Sequence, residues 1–542
     1  MTGAPAMAGP GGQAPAGGPP KGPGGPPPFT RRTAAALAGI LLGALMSGVN
    51  NRVGALALTD ISAQVGAASD AASWIETSYT AGELLVMPFA GWFAITLGLR
   101  RFHQIALAIC CFIAILLPFT LNLQLFIGLR FVQGMAAGCL VPVLMMAALK
   151  FMPANIRLHG LALYSMTATV APNIAVSFTA FWQGEAPLWQ WLYWQIIPAG
   201  ICAAALVHWG LPNDPIIWPR FRQGNWLGMS LGIPGLGLLV VALTQGNRLE
   251  WFETPFITWS LCASVLLILA YIVTEWRHSA PFIKPQLLAR RNLWLGFSLL
   301  LCVLVLMLSA SLIPATALGA LHGFKALQVA PLSLIVAVPQ VLVAPAVALL
   351  LYRKWIDARL VLSTGLIFIG IACWINSRIT ATWMADQFVL AQILQCLGQP
   401  MFIVSLLFLA TSVVHPMEGP YIAGTVNTIR AFGTTLGSAL IEKFLEYREA
   451  FHAEHMQDSI GRLTLPMQET TRDLFAVVPQ QALILSSADV LIVLGSFAFL
   501  LAPVGLLLKH IPAPDLSKGP PPAPVAPRRD APPPAASAPV TS

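Results

Sequence analysis

The chain has 542 residues, of which 56% are hydrophobic and only 10% carry a charged side chain. A soluble protein could not keep that much apolar chain in water, so the composition excludes a soluble multidomain protein and indicates a polytopic membrane protein. The net charge of +8 would suit a nucleic-acid-binding protein, but the basic residues alternate with apolar segments, which argues against a nucleic-acid partner.

Fourteen apolar segments of nearly membrane-spanning length follow one another along the chain. About 20 helical residues, rising about 1.5 Å each, cross a hydrocarbon core of about 30 Å. We therefore predict an all-α membrane protein with fourteen transmembrane helices, with bounds uncertain by several residues. The predicted spans are 33–58, 72–97, 102–121, 124–149, 157–182, 190–212, 225–246, 255–276, 293–320, 328–351, 360–381, 385–413, 421–446 and 488–508.

The basic residues outside these spans are distributed unevenly between the two sets of loops. If Met1 is cytoplasmic, twenty Lys and Arg fall in inner loops and tails and six in outer loops. Cytoplasmic loops of membrane proteins carry such an excess. This bias predicts a multi-pass protein of the cell inner membrane with both termini in the cytoplasm.

The chain divides into two tails, two halves and an insert. Residues 1–32 and 509–542 are rich in Pro, Gly and Ala and are predicted to be disordered cytoplasmic tails. A weak repeat overlays Arg130 on Gln392 and Gln133 on Gln395. It predicts a six-helix half at 33–212, a two-helix insert at 213–292 and a second half at 293–508.

One long hydrophilic segment, residues 447–487, is predicted on the outer side. It would be either a surface on which a partner protein docks or a hairpin that extends two helices. His452 and His455 have a spacing that could hold a metal, but no further His or Cys supports such a site, and no metal is predicted.

Ionisable side chains inside the spans are the sharpest functional signal. Each costs about 2.5–3.5 kcal/mol at the bilayer centre on insertion scales, so it normally faces protein or a water-filled cavity. Glu76 and Glu83 are nearly two turns apart on one helix face, and Arg52 and Arg130 fall at similar depths. We predict a proton-coupling site from these four residues, with Glu83 as the carrier and Arg130 tuning its pKa. The alternative is a permanent ion pair that locks helices together.

Polar and aromatic side chains within the spans are candidates for binding a substrate. The predicted set is Asn51, Tyr79, Gln133, Gln392, Gln395, Asn427 and Arg430. The alternative is that the amides bond neighbouring helices, as intramembrane amides usually do.

Motifs for other chemistry are absent from the sequence. No Gly-x-x-x-x-Gly-Lys-Ser/Thr loop occurs, which argues against direct use of ATP. Apart from the unsupported pair His452 and His455, no metal-ligand spacing is found, and there is no hydrolytic triad pattern, so we expect neither an enzyme nor a cofactor.

Several segments resemble a known family when they are taken in order. Residues 91–101 resemble the loop between spans two and three of the major facilitator superfamily, and residues 130–134 (RFVQG) resemble its fourth-span motif. Residues 165–172, 189–193 and 429–434 are similar to segments of its fourteen-span drug:proton antiporters of the EmrB and QacA type. The chain resembles a divergent member of that family over about residues 33–508.

The resemblance implies a bundle of 6 + 2 + 6 helices whose two halves rock about a central cavity. It implies proton-coupled efflux of amphipathic or drug-like compounds, with a gating loop that includes Gly91, Gly98, Arg100 and Arg101. It also implies a periplasmic adaptor protein and an outer-membrane channel as partners. Two alternatives stay open: a transporter of a specific metabolite, such as an organic acid or an iron chelator, and a membrane scaffold that transports nothing.

Overall fold

A computed structural model describes residues 29–153, 156–184, 189–461 and 468–513, and this part of the chain is helical without strands. Nearly all of the two predicted tails lies outside the described residues. These described ranges contain fourteen long helices: α1 (Arg31–Leu56), α2 (Ser69–Leu97), α3 (Leu99–Leu116), α4 (Leu123–Phe151), α5 (Arg157–Gly184), α6 (Trp191–Gly210), α7 (Trp226–Gln245), α8 (Pro255–Arg277), α9 (Arg291–His322), α10 (Ala326–Leu351), α11 (Ala358–Asn376), α12 (Ala385–Thr411), α13 (Gly419–Gly461) and α14 (Gln468–Gly505).

Thirteen helices in the described ranges are long and apolar enough to cross a membrane, and α13 is the long helix outside that group. It has 43 residues and carries Asn427 and Arg430 in the stretch that was predicted to span. A helix with such side chains is tolerated at membrane depth when its polar face meets protein or a water-filled cavity. The all-α bundle predicted from the sequence is confirmed, with α13 as its least apolar member.

The helices pack as two groups of six with the same pattern of neighbours. In the first group α2 packs on α4, α1 on α5 and α3 on α6; in the second α10 packs on α12, α9 on α13 and α11 on α14. Each helix of α9–α14 therefore occupies the position of the helix eight earlier. We call α1–α6 the first half and α9–α14 the second half.

The two halves meet along two seams related by the same symmetry. At one seam α2 packs on α13, and at the other α5 packs on α10. Helix α7 packs on α8 and on α2 and also touches α13. The two-helix insert therefore covers the outside of the first seam.

The start of α1 and the residues just after α14 lie at one end of the bundle. Here the backbone of α6 at Gly210 meets the start of α1 at Arg32, and the Lys509 N–H donates to Asn292 Oδ1 at 2.8 Å. We call this the proximal end and the opposite one the distal end.

Helices α13 and α14 continue past the other helices at the distal end. Arg448 and His452 of α13 both bind the Asp489 carboxylate of α14 at 2.7 Å, which fastens the two helices together. His455 Nδ1 lies 2.9 Å from the Phe451 carbonyl oxygen of the same helix. Segment 447–487 was predicted to be either a docking surface or a hairpin that extends two helices. Its described residues form helical extensions of α13 and α14. Residues 462–467 lie outside the described ranges.

Candidate functional site

A cavity lies between the two halves in the distal part of the bundle. It encloses about 830 Å³ of empty space, including its open mouth. The wall from the first half comes from α1, α2 and α5, the opposite wall from α9 and α13, and Thr244 of α7 adds an edge. The charged and amide side chains that line the cavity are Asn51, Arg52, Glu76 and Glu83 from the first half and Arg430 from the second.

Glu83 is the most deeply placed acid of the cavity. It is 8% exposed and accepts a hydrogen bond from Asn51 Nδ2 across the α1–α2 contact. Arg430 and Arg52 line the same cavity as Glu83, whereas Arg130 is not part of its lining. Arg430 belongs to the second half, so an acid of one half faces a cation of the other.

Glu76 and Arg52 lie closer to the distal mouth. Because seven residues make nearly two helical turns, Glu76 and Glu83 share one face of α2, and both line the cavity. Arg52 lines the same cavity as Glu76. Three of the four residues that were predicted to couple protons therefore stand on one cavity wall.

Arg430 is held by the first half through a hydroxyl group. Its Nη1 donates to Thr167 Oγ1 of α5 at 2.6 Å, and its guanidinium lies 5.8 Å from the centroid of the Tyr164 ring. One turn away, Tyr164 O–H donates to Asn427 Oδ1 at 2.9 Å. These two bonds join α5 to α13 beneath the cavity, and Asn427 itself is buried below the wall.

Arg130 occupies a dry site behind the cavity wall. It is fully buried, its guanidinium lies 4.2 Å from the centroid of the Tyr79 ring, and its Nη1 donates to Gln133 Oε1 at 2.9 Å. No ion pair in the described ranges includes Arg130. No hydrogen bond or ion pair in the described residues joins Arg130 to Glu83, and the Arg130 Nη2 donates instead to the Asn50 carbonyl of α1 at 3.5 Å.

Tyr79 and Gln133 lie with Arg130 and do not line the cavity. Tyr79 O–H donates to the Ser47 carbonyl and accepts from Asn50, and Gln133 Nε2 donates to the Cys110 carbonyl. Their polar atoms are therefore engaged by protein in this conformation, which is the helix-bonding role that the sequence left open.

Gln392 and Gln395 are also outside the cavity. Their Nε2 atoms donate to the Ala310 carbonyl and to Ser309 Oγ, at 2.8 and 2.9 Å. Both acceptors lie in a tight 3-10 turn, Leu308–Ala310, that interrupts α9. A break in a spanning helix frees backbone carbonyls that neighbouring helices must satisfy, and Gln392 of α12 does this for Ala310.

The predicted gating loop lies at the proximal end between α2 and α3. Gly98 has φ +85°, a backbone conformation that glycine adopts readily and other residues rarely do. Arg100 Nη1 donates to the Leu211 carbonyl at 3.2 Å. Arg101 is partly buried at the same turn. Gly91 approaches α13 so closely that a Cβ would stand 2.3 Å from the Pro420 carbonyl oxygen.

The two halves are in contact at the proximal end along both seams. A Cβ on Gly424 would stand 3.0 Å from the Pro88 carbonyl oxygen, and His159 of α5 meets Tyr352, just past α10, at 3.3 Å. Nearby, Arg290 binds Glu418 at 2.7 Å and holds the pKa of that carboxyl below its usual value. The structure is thus closed proximally, and the cavity opens distally.

The family model of the Major Facilitator Superfamily matches residues 40–442. The chain belongs to the major facilitator superfamily. As a member it is a multi-pass membrane transporter, and its bacterial relatives support the inner membrane as its location. The resemblance drawn from the sequence is thereby confirmed.

Three bacterial relatives are similar to most of this transporter. Fatty acid resistance protein FarB of Neisseria gonorrhoeae is 25% identical over 441 residues, covering 80% of this chain and 85% of the relative. Multidrug export protein EmrB of Escherichia coli is 22% identical over 431 residues, covering 78% and 81%. Probable multidrug resistance protein EmrY of Escherichia coli is 22% identical over 427 residues, covering 78% and 82%.

Solved structures share the fold at low sequence identity. The human organic anion transporter MFSD10 (TETRAN) has a TM-score of 0.55 at 12% identity, covering 86% of this chain and all of that one. A POT family transporter in complex with 5-aminolevulinic acid has a TM-score of 0.54 at 14% identity, covering 90% and 97%.

Hydroxyl groups of the cavity were missed by the sequence analysis. Thr434 and Ser438 follow Arg430 at successive steps of four on α13, and Thr80 stands between the two glutamates on α2. A step of four keeps side chains on one helix face, so this stripe of α13 was a usable signal.

Proposed function

We propose that this transporter couples proton entry to the export of amphipathic organic compounds. The observation that carries the proposal is the placement of Glu83, a buried acid of the first half, in a cavity with Arg430 of the second half. The proximal end would face the cytoplasm, in keeping with the excess of Lys and Arg in the loops there.

Protonation of Glu83 would change the attraction between the halves. While the carboxylate is charged, Arg430 and Arg52 attract it across a poorly solvated cavity. A proton arriving from the open distal side removes that charge, so the halves can separate proximally and release the proton inward. Each charge that crosses gains about 2.3 kcal/mol per 100 mV of membrane potential.

Three further charged residues would assist the protonation of Glu83: Arg52, Glu76 and Arg130. Arg52 and Glu76 stand at the mouth, where they set the field that an incoming proton meets. Arg130 would act over a longer distance, because its charge reaches Glu83 without direct contact.

The cavity wall supports a substrate that has both polar and apolar parts. Asn51 and Arg430 offer hydrogen-bond donors, while Met87, Pro172 and Leu304 add apolar surface. Relatives named for multidrug export and for fatty acid resistance are in keeping with such compounds. Asn51 and Arg430 are the proposed binding residues, whereas Tyr79, Gln133, Gln392, Gln395 and Asn427 would act only after a rearrangement.

A periplasmic adaptor protein that leads to an outer-membrane channel is the proposed partner. The distal extension of α13 and α14 reaches beyond the other helices and is fastened by Asp489. It would offer that adaptor a preformed helical surface.

A second candidate is a transporter of one organic anion. Two arginines, Arg52 and Arg430, line the cavity, and a guanidinium group pairs well with a carboxylate. A panel of cationic, neutral and anionic amphiphiles separates the two functions, because a dedicated anion carrier would move only the last group.

The test uses inside-out vesicles that contain the full chain under an imposed pH gradient. We expect Glu83→Gln to lower gradient-driven uptake of transported compounds at least tenfold while the protein folds and still binds them. Glu446→Gln, an exposed acid outside the cavity, is the matched control and should behave as wild type.

Undiminished gradient-driven uptake by folded Glu83→Gln would remove Glu83 as the proton carrier. An absence of flux for every compound in the panel, with wild-type protein, would overturn the proposed export of amphipathic compounds.

A further inference from the structure

A second, smaller cavity opens between the insert and the second half near the proximal end. It is an apolar groove of about 410 Å³ whose walls come from α8 and the segment that follows it on one side, and from α9 and α13 on the other. Ile272, Ile283, Leu288, Phe297 and Ile422 line it, and Lys284 is its one charged residue.

The charge of Lys284 is not neutralised by an ion pair in the described part of the chain. Its ammonium group lies 4.6 Å from the centroid of the Tyr421 ring. The nearby acid, Glu418, already accepts two hydrogen bonds from Arg290 at 2.7 and 2.8 Å. A half-buried cation therefore stands at an apolar groove with its charge left for another anion.

The surroundings place the groove at the level of lipid headgroups. Trp276 and Trp294 are 55% and 49% exposed on either side of it, and tryptophan is enriched where a membrane meets water. Arg277 ends α8 and Arg291 begins α9, and both are exposed. Basic pockets between spanning helices on the cytoplasmic side are recognised by anionic lipid headgroups.

We propose that this groove binds one anionic phospholipid, with its phosphate at Lys284 and an acyl chain along Phe297 and Ile422. The apolar walls match a hydrocarbon chain, and the single cation matches one phosphodiester. This inference does not depend on the direction of transport or on the identity of the substrate.

The bound lipid would bridge two bodies that move relative to each other. The α8 wall is tied to the first half, because Phe282 and Tyr271 pack with Phe89 and Trp92 of α2. The opposite wall belongs to the second half. Occupancy would therefore favour the closed proximal arrangement seen here, in which the two walls are close.

The test is native mass spectrometry of the full chain, purified in detergent, with phosphatidylglycerol or phosphatidylethanolamine added. We expect wild type to keep at least one phosphatidylglycerol under conditions that remove phosphatidylethanolamine. A basic residue near the lipid surface contributes about 1 kcal/mol, so Lys284→Gln should weaken phosphatidylglycerol binding about fivefold. Leu288→Trp, which fills the groove, should abolish the retained lipid.

Arg353→Gln is the matched control, since Arg353 is an exposed proximal cation away from the groove. It should retain phosphatidylglycerol as wild type does. Equal retention of the two lipids by wild type, or undiminished phosphatidylglycerol binding by both Lys284→Gln and Leu288→Trp, would overturn the proposal. Displacement of phosphatidylglycerol by equimolar transported compound would also overturn it and assign the groove to substrate.

Discussion

Gly91 shows what a single missing Cβ does at the proximal seam. Its Cα faces the Pro420 carbonyl of α13, and the bulk of even one methyl group would overlap that oxygen. Both partners are backbone atoms of long helices, so neither can turn away as a side chain would. The closed proximal end therefore requires glycine at this position.

Gly91→Ala should destabilise the closed proximal arrangement. Overpacking of this kind costs about 1–3 kcal/mol, so we expect a several-fold lower transport rate and greater proximal access to the cavity, measured by thiol labelling of a cysteine placed at Thr434. Gly128→Ala is the control, because nothing lies within 4 Å of its Cβ position. Equal labelling of the two variants would show that Gly91 does not control the seam.

Four of the charged side chains within the spans line the cavity, and Arg130 does not. A carboxylate or guanidinium group within a span must face protein or water, so Arg52, Glu76, Glu83 and Arg430 pointed inward on energetic grounds alone. Arg130 met the same requirement in a different way, by packing on Tyr79 in a dry site. Depth along a helix gives the level of a side chain in the membrane but not the partner to which it turns.

At the scale of elements, the insert is an attachment of the first half. Near the proximal end Trp92 and Phe89 of α2 pack with Phe282 and Tyr271, and near the distal end Gln245 Nε2 donates to Thr77 Oγ1 at 2.6 Å. The insert thus contacts α2 along nearly its full length and is expected to move with it.

Trp92→Ala should loosen this attachment. Trp92 is 2% exposed, and removing a large buried side chain costs about 3 kcal/mol or more, so we expect a clear fall in the thermal unfolding temperature in detergent. Trp374→Ala is the matched control, because Trp374 is 59% exposed on the lipid-facing surface and should tolerate the change. If both variants unfolded at the wild-type temperature, the aromatic contacts would not hold the insert.

At the scale of the whole molecule, transport requires the proximal seams to open. His159 of the first half and Tyr352 of the second half stack there with ring centroids 5.3 Å apart. Cross-linking His159→Cys with Tyr352→Cys by a short bismaleimide should abolish transport while the cavity stays reachable distally. The test requires a background in which the eight native cysteines are replaced and transport is first shown to be retained.

A cross-link within one half is the control for that experiment. Arg32→Cys with Trp209→Cys joins α1 to α6 at the same end, where the Arg32 guanidinium lies 5.9 Å from the Trp209 ring centroid. It should leave transport nearly unchanged, since these helices move together. Normal transport by the cross-linked pair at 159 and 352 would contradict a rocking motion about the cavity.

The sequence by itself determined the membrane, the helices and the charged residues. Each follows from a local energetic cost. The length of an apolar segment determines whether it can span the membrane. The cost of placing a charge in lipid indicates that Glu76, Glu83, Arg52 and Arg430 face protein or a water-filled cavity. The tertiary structure alone decided which polar residues meet across the seams. It turned Gln392 and Gln395 toward the broken α9, placed Arg130 behind Tyr79 and brought Arg430 to Thr167. Those pairings depend on how helices distant in the chain rotate and pack against one another, which the local pattern of a single helix does not encode.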